Sequence, residues 1–105
     1  MPDPQEAAAK GMRERDLLEL VRDLARYRGW LVYHTHDSRR SEPGFPDLCL
    51  VRGDRVIFAE LKASKGVLSQ AQREWVAALT NARGVEVYVW RPIDWLTGAI
   101  EAKLR

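Results

Sequence analysis

Two stretches of the chain place apolar residues at helical spacing. The first predicts an amphipathic helix over residues 12–28 that ends near Gly29. Its apolar positions are Leu17, Leu18, Val21, Leu24 and Ala25. The second begins after Ser69, which has the spacing of a capping box with Gln72, and it ends before Gly84. The chain therefore contains two well-delimited helices.

Four shorter stretches are rich in β-branched and aromatic residues and predict strands. They cover residues 30–36, 47–52, 55–62 and 85–91. The dipeptide Gly53-Asp54, between the second and third stretches, is one of those favoured in two-residue hairpin turns. A short final helix can begin at Pro92. The predicted order is α-β-β-β-α-β, followed by a terminal helix.

The hairpin brings charged residues together in an apolar setting. With a two-residue turn, Asp47 lies directly opposite Glu60, and strand alternation places Lys62 on the same face. Opposed Cβ atoms are about 4.5–5.5 Å apart, close enough for two carboxylates to share one divalent cation. Both faces of the hairpin are otherwise apolar, which predicts a central position where unpaired charge is costly. An ion pair with Lys62 at an exposed strand end is the alternative.

Composition restricts the class of protein and the chemistry of a site. A chain of 105 residues with 46% hydrophobic and 30% charged residues is typical of one globular domain, not of a disordered or membrane protein. The single cysteine, Cys49, excludes an internal disulfide and a cysteine-rich zinc site, and it fits a cytoplasmic location. Any metal should therefore be held by oxygen. The net charge of +2 neither requires nor excludes nucleic acid.

The beginning of the chain has a different character. The first ten residues combine two prolines, charged residues and an alanine run without clear periodicity. We therefore expect a flexible arm over residues 1–11 and a single domain over residues 12–105. The opening sequence lacks the basic-then-apolar pattern of a signal peptide, and no membrane association is expected.

The segment Gly44-Phe-Pro-Asp47 followed by Glu60-Leu-Lys62 resembles the Pro-Asp…(Asp/Glu)-x-Lys signature of restriction-endonuclease-like nucleases. The VRR-NUC branch fits best, because the likeness also includes Glu14 and three later segments. These segments are Lys65-Gly66, Leu68-Ser69-x-x-Gln72 and Trp90-Arg-Pro92. The resemblance implies an α/β fold with a restriction-endonuclease-like αβββαβ core, in which helices flank a mixed central sheet.

The resemblance also implies roles for the acidic residues and the lysine. Asp47, Glu60 and the backbone carbonyl of Leu61 would bind Mg²⁺, for which Mn²⁺ could substitute. Lys62 would position the attacking water or stabilise charge that develops on the phosphate. Glu14, on the apolar stripe of the first helix, would bind the metal directly or through water. Alternatively, Glu14 is an exposed first-turn acid that complements the helix dipole.

Further residues are candidates for contact with substrate. Gln72 matches a glutamine that the family places near the phosphate and would join the catalytic residues. As the last residue of the capping box, however, it could simply return a hydrogen bond to the backbone. The candidate DNA-binding residues are His34, Ser38, Arg39, Arg40 and Lys65. A zinc site formed by His34 and His36 is disfavoured, since no further ligands of the usual kind accompany them.

The function implied by the resemblance is that of a metal-dependent DNA endonuclease. No separate sequence-reading module is visible, so we expect selection of branched DNA, such as Holliday junctions, by structure. Symmetric cleavage of such junctions by dimers favours a homodimer. The alternatives are an inactive DNA-binding or assembly module, and a flap or site-specific nuclease that acts with a helicase or replication partner. The family association implies a bacterial or phage-encoded protein with a role in DNA repair.

Overall fold

The computed structural model describes residues 3–35 and 40–105. These ranges contain both helices and strands in a mixed α/β arrangement. The elements are α1 (Pro4–Gly11), α2 (Glu14–Tyr27), β1 (Leu31–His34), β2 (Leu48–Arg52), β3 (Arg55–Leu61), α3 (Gln70–Asn81), β4 (Glu86–Trp90), α4 (Pro92–Leu96) and α5 (Ala99–Leu104). The predicted order α-β-β-β-α-β is thus present from α2 to β4 and confirms the expected fold class.

The strands form one mixed sheet in the order β1-β2-β3-β4. Strands β1, β2 and β3 are antiparallel, whereas β4 runs parallel to β3. The β2–β3 hairpin turns at Gly53, which has a φ of +59°, and pairs Leu48 with Ala59 and Arg52 with Arg55. The hairpin therefore has the predicted register and lies at the centre of the sheet.

The two faces of the sheet are covered unequally. One face is packed against the apolar sides of α2 and α5. Its apolar residues on β2 and β3 are no more than 1% exposed, and they are Leu48, Leu50, Ile57, Ala59 and Leu61. The opposite face, with Cys49, Val51, Val56 and Phe58, is half-buried. The expected cover on both sides is therefore complete on the first face and partial on the second.

The segment expected to be a flexible arm forms helix α1 instead. The side chain of Asp3 caps it by accepting a 3.0 Å hydrogen bond from the N–H of Gln5. The amide of Gln5 also donates to the carbonyl of Leu96 in α4, and the hydroxyl of Ser64 donates to the carbonyl of Ala9. Ala9 is buried. The N-terminal helix is therefore capped locally and held by contacts with distant parts of the chain.

The C-terminal region adds one helix beyond those predicted. Helix α4 begins at Pro92, as expected, and Gly98 then turns the chain with a φ of +82°. Helix α5 follows and brings Ile100 and Leu104 into the core, where both are fully buried. Within the part of the chain that the structure describes, no helix is both long and apolar enough to span a bilayer.

Candidate active site

Two carboxylates meet where the central strands end. Asp47 directly precedes β2, and Glu60 is the second-to-last residue of β3. The observed pair Leu48–Ala59 is one step from the predicted opposition of these two acids. A carboxylate oxygen of Asp47, Oδ2, accepts a 2.8 Å hydrogen bond from the N–H of Leu61. The sheet itself therefore holds the first carboxylate beside the second.

Glu60 lies in an environment that disfavours its charge. It is 1% exposed, and among the described residues it is the one charged residue that is buried. Its Oε2 atom has no hydrogen-bond partner in the described part of the chain. Burial, followed by the hydrogen bond and negative charge of Asp47, raises the pKa of Glu60 to about 9, although the positive charge of Lys62 opposes this. A bound cation would relieve both the burial cost and the repulsion between the acids.

Glu14 reaches the same region from the first turn of α2. It is exposed at the rim of a pocket of about 210 Å³ that Asp47 also lines. Partial burial, followed by the negative charge of Asp47, raises the pKa of Glu14, and the positive charge of Lys62 opposes the rise. The helix therefore adds a third acid to the electrostatics of the site.

The number of protein ligands suits only some metals. Residues 3–35 and 40–105 contain no group of three or more His, Cys, Asp and Glu placed to hold a metal ion. Mg²⁺ is commonly held by one or two carboxylates together with waters and substrate phosphate oxygens, whereas zinc takes three or four protein ligands. The adjacent carboxylates of Asp47 and Glu60, with the unpartnered Oε2 of Glu60, therefore fit magnesium or manganese. Glu14 lies outside this pair, and its position fits a contact with the metal ion through a water molecule.

Lys62 extends the site on the side of β3. Its backbone N–H donates a 3.0 Å hydrogen bond to the carbonyl of Trp90, so the residue is fixed to the neighbouring parallel strand. The side chain is half-buried, and its charge acts on both Glu14 and Glu60. This places the ammonium group within electrostatic range of the acids that would hold a cation.

The Gly-Phe-Pro loop before the first carboxylate is packed against α3. Gly44 has a φ of +87°, and a Cβ atom there would lie 2.4 Å from the backbone carbon of Ala71. The ring of Phe45 contacts Trp75 edge to face, with centroids 5.0 Å apart. The indole of Trp75 donates a 3.1 Å hydrogen bond to the carbonyl of Pro43. A glycine and a tryptophan thus fix the approach of the chain to the site.

Gln72 performs the local task that its sequence spacing allowed. Its side-chain oxygen accepts a 2.8 Å hydrogen bond from the N–H of Ser69, and the Ser69 hydroxyl accepts one from the N–H of Gln72. The capping box is therefore formed. The position of Gln72 beside Gly44 also keeps it close to the loop that leads to Asp47. A contact between Gln72 and phosphate stays a prediction.

The structure brings only some of the predicted DNA-binding residues to the site. His34 lines the same pocket as Asp47. Lys65 and Arg40 are exposed, and Lys65 lies in the loop that follows Lys62. Ser38 and Arg39 lie outside the described residues, as does His36.

Sequence reasoning missed one residue at the site. Arg15 lines the pocket together with Glu14 and Asp47, although the helical pattern assigns it to the outer face of α2. The first turn of α2 lies against the pocket, so a residue on the outer side of the helix still lines it. The sequence contained one indication that Arg15 lies at the site, which is its position directly after Glu14.

Two comparisons with known proteins gave a match. The model of the VRR-NUC domain family matches residues 5–92, and the chain therefore belongs to this family, which implies a nuclease-type function. The chain is also similar to a solved VRR_NUC domain protein, with a TM-score of 0.68 and 19% sequence identity. The similarity covers 91% of this chain and 93% of the other and shows a shared fold. The comparison with curated proteins gave no match.

Proposed function

We propose that this protein is a metal-dependent DNA endonuclease that hydrolyses phosphodiester bonds in branched DNA. The observation that carries the proposal is the buried carboxylate of Glu60, whose Oε2 atom is unpartnered within the described residues. It lies beside a second carboxylate, that of Asp47, and near the ammonium group of Lys62. Without a cation, Glu60 is buried at neutral pH only by taking up a proton, and a purely structural role gives no reason for that cost. A bound cation would compensate the charge of the deprotonated carboxylate, and a phosphate would be a partner for Lys62.

Each member of the site has a distinct task. Asp47 and Glu60, with the carbonyl of Leu61, would hold Mg²⁺ or Mn²⁺, and Glu14 would contribute through water. When bound, the cation would supply polarisation of the phosphate and a lower pKa for the attacking water. The hydrogen bond from the Leu61 N–H orients the Asp47 carboxylate, and its donor is a backbone group at the end of β3. Lys62 would stabilise negative charge on the phosphate as a point charge.

Basic residues around the pocket favour binding of a DNA backbone. Arg15 lines the pocket, and its guanidinium group suits bidentate hydrogen bonds to phosphate. Arg40 and Lys65 are exposed and available to adjacent phosphates. His34 lines the pocket and can contact DNA or assist proton transfer. Ser38, Arg39 and Gln72 remain candidates for phosphate contact from the sequence.

The incompletely covered sheet face supports the proposed homodimer. On edge strand β1, Leu31 and Tyr33 are 76% and 63% exposed, and their pairing with Val51 and Cys49 puts them on the half-buried face. In a two-fold dimer this patch would pack against the same patch of a second copy, and a two-fold axis also matches the symmetry of a four-way junction. Tyr33→Glu should make the protein monomeric by light scattering. Tyr27→Glu, at an 84% exposed tyrosine at the end of α2, should leave the dimer intact. Wild-type protein that stays monomeric with and without junction DNA would contradict the proposal.

The substrate class can be tested with a panel of labelled DNA. Single-stranded, duplex, flap and four-way-junction DNA would each be incubated with Mg²⁺, Mn²⁺ or EDTA. Symmetric nicking of the junction that depends on the metal is the expected result. Preference for the flap would favour the alternative function of a flap nuclease. We would expect such a nuclease to act in the cytoplasm with a helicase or replication partner. Binding without cleavage in both metals would identify an inactive DNA-binding module.

A further inference from the structure

Arg91 closes the loop that follows the site lysine. Its Nη1 atom donates hydrogen bonds to the carbonyls of Ala63 at 2.8 Å and Gly66 at 2.7 Å, and it lies 3.5 Å from the carbonyl of Ser64. The N–H of Gly66 donates to the carbonyl of Ala63 at 3.0 Å and completes a tight turn. Residues 63–66 therefore direct several carbonyl oxygens towards one guanidinium group.

This turn forms a wall along the side chain of Lys62. A Cβ atom added at Gly66 would lie 3.3 Å from Cδ of Lys62, which is closer than ordinary van der Waals contact. Glycine thus allows the backbone to approach the lysine stem directly. The backbone of Lys62 is held separately, through its hydrogen bond to Trp90, the residue before Arg91. One short segment of the chain therefore holds both the lysine and the wall beside it.

The chemistry of the two side chains explains why such a wall matters. A lysine ammonium is carried by a flexible four-carbon stem, so its position depends on what surrounds the stem. A guanidinium group is planar and always charged, and its hydrogen bonds to carbonyl oxygens are stronger than those of a neutral donor. Arg91 can therefore hold converging carbonyls that would otherwise repel one another.

We propose that Arg91 is a positioning residue for Lys62. Arg91 holds the turn over residues 63–66, and the turn limits the rotamers of the lysine through Gly66. The purpose of restricting the lysine, which is to place its ammonium group at a phosphate, rests on the proposed function. The restriction of the Lys62 side chain by Arg91 and the turn does not depend on that function.

The first test measures the lysine side chain without metal or DNA. NMR relaxation of the Lys62 Cε methylene would be compared in wild type and Arg91→Ala. The matched control is Arg52→Ala, since Arg52 donates to the carbonyls of Arg28 and Leu104 near the turn of the hairpin, away from Lys62. We expect Lys62 to become mobile in Arg91→Ala and to remain ordered in Arg52→Ala. Unchanged relaxation in folded Arg91→Ala would overturn the proposal.

A second variant covers the case in which Arg91→Ala fails to fold. Gly66→Ala keeps the arginine but places a methyl group against the lysine stem. It should change the Lys62 side-chain shifts while leaving the fold intact. Lys62 shifts identical to those of the wild type in this variant would contradict the contact on which the proposal depends.

The second test uses kinetics in a double-mutant cycle. Arg91→Ala should lower kcat by about tenfold with little change in KM for DNA, and Arg91→Lys should restore part of the loss. The same change in a Lys62→Ala background should have no further effect on kcat. An equal loss in both backgrounds would mean that Arg91 acts independently of Lys62. If wild-type protein does not cleave DNA, the proposed function fails, and the NMR result still decides the role of Arg91.

Discussion

The Asp47 carboxylate and the Leu61 backbone N–H are joined by a hydrogen bond of 2.8 Å. This bond links the residue before β2 to the residue after Glu60. It therefore fixes the relative position of two acids that belong to different strands. The carboxylates are held by the central hairpin rather than by a flexible loop, which is the arrangement that a preorganised metal site requires.

Asp47→Asn separates the structural task of this residue from its chemical task. Asparagine retains an oxygen that can accept the Leu61 N–H, so the free energy of unfolding should change by less than about 1 kcal/mol. Loss of the charge should raise the Mg²⁺ concentration for half-maximal cleavage by about tenfold or more. Denaturant unfolding and a magnesium titration of cleavage measure these two effects. An unchanged magnesium dependence would exclude Asp47 as a ligand.

Glu60→Gln should exchange function for stability. The amide has the shape of the carboxyl group but needs no proton, whereas Glu60, whose pKa is raised to about 9, must take up a proton on folding at neutral pH. We expect the metal-free variant to be more stable than wild type by roughly 1–2 kcal/mol at neutral pH, and cleavage to be lost. Glu74→Gln, at an exposed position on α3, should change neither property. A destabilised Glu60→Gln protein would contradict the cost assigned here to burying this carboxyl group.

Gly44→Ala tests the packing of the loop that leads to the site. The new Cβ would meet the backbone of Ala71 at 2.4 Å, and the positive φ adds strain. We expect a loss of about 3 kcal/mol or more in the free energy of unfolding. Gly53→Ala is the matched control, because Gly53 also has a positive φ but its Cβ would have no described atom within 4 Å. It should cost about 1 kcal/mol. Equal losses in the two variants would mean that the contact with α3 is unimportant.

An ion pair far from the site predicts acid sensitivity. Arg55 binds the Glu86 carboxylate with two hydrogen bonds, of 2.7 and 2.8 Å, and thereby lowers the pKa of Glu86 from its ordinary value of 4.5. The stabilisation is therefore fully present above pH 4.5 and is lost as the pH falls through the lowered pKa. Glu86→Gln should cost about 1 kcal/mol at neutral pH and progressively less below pH 4.5. A difference in unfolding free energy that does not vary with pH would contradict this account.

The position of the two acids could be predicted because its cause is local. A Gly53-Asp54 turn of two residues fixes the register of the whole hairpin, and the register fixes which residues oppose each other. The opposition of Asp47 and Glu60 follows from that turn alone. The capping box of Ser69 and Gln72 was equally visible, since its two hydrogen bonds span four residues.

Features that depend on distant contacts could not be predicted in the same way. Helix α1 is short and is held by Leu96 and Ser64, which lie far along the chain. The position of Arg15 at the pocket depends on how α2 meets the end of the sheet, which helical periodicity does not describe. Apolar residues on both faces of the hairpin predicted burial, but the pattern could not show that the face with Cys49 and Phe58 is only half-buried.

The most direct measurement is cleavage of a labelled four-way junction by wild-type protein and Lys62→Ala, each with Mg²⁺ and with EDTA. Lys103→Ala serves as the matched control, since this lysine lies on α5 against Tyr88 and outside the site. The account predicts cleavage by wild type and Lys103→Ala only with the metal, and much slower cleavage by Lys62→Ala. Cleavage in EDTA, or equal cleavage by Lys62→Ala, would contradict it.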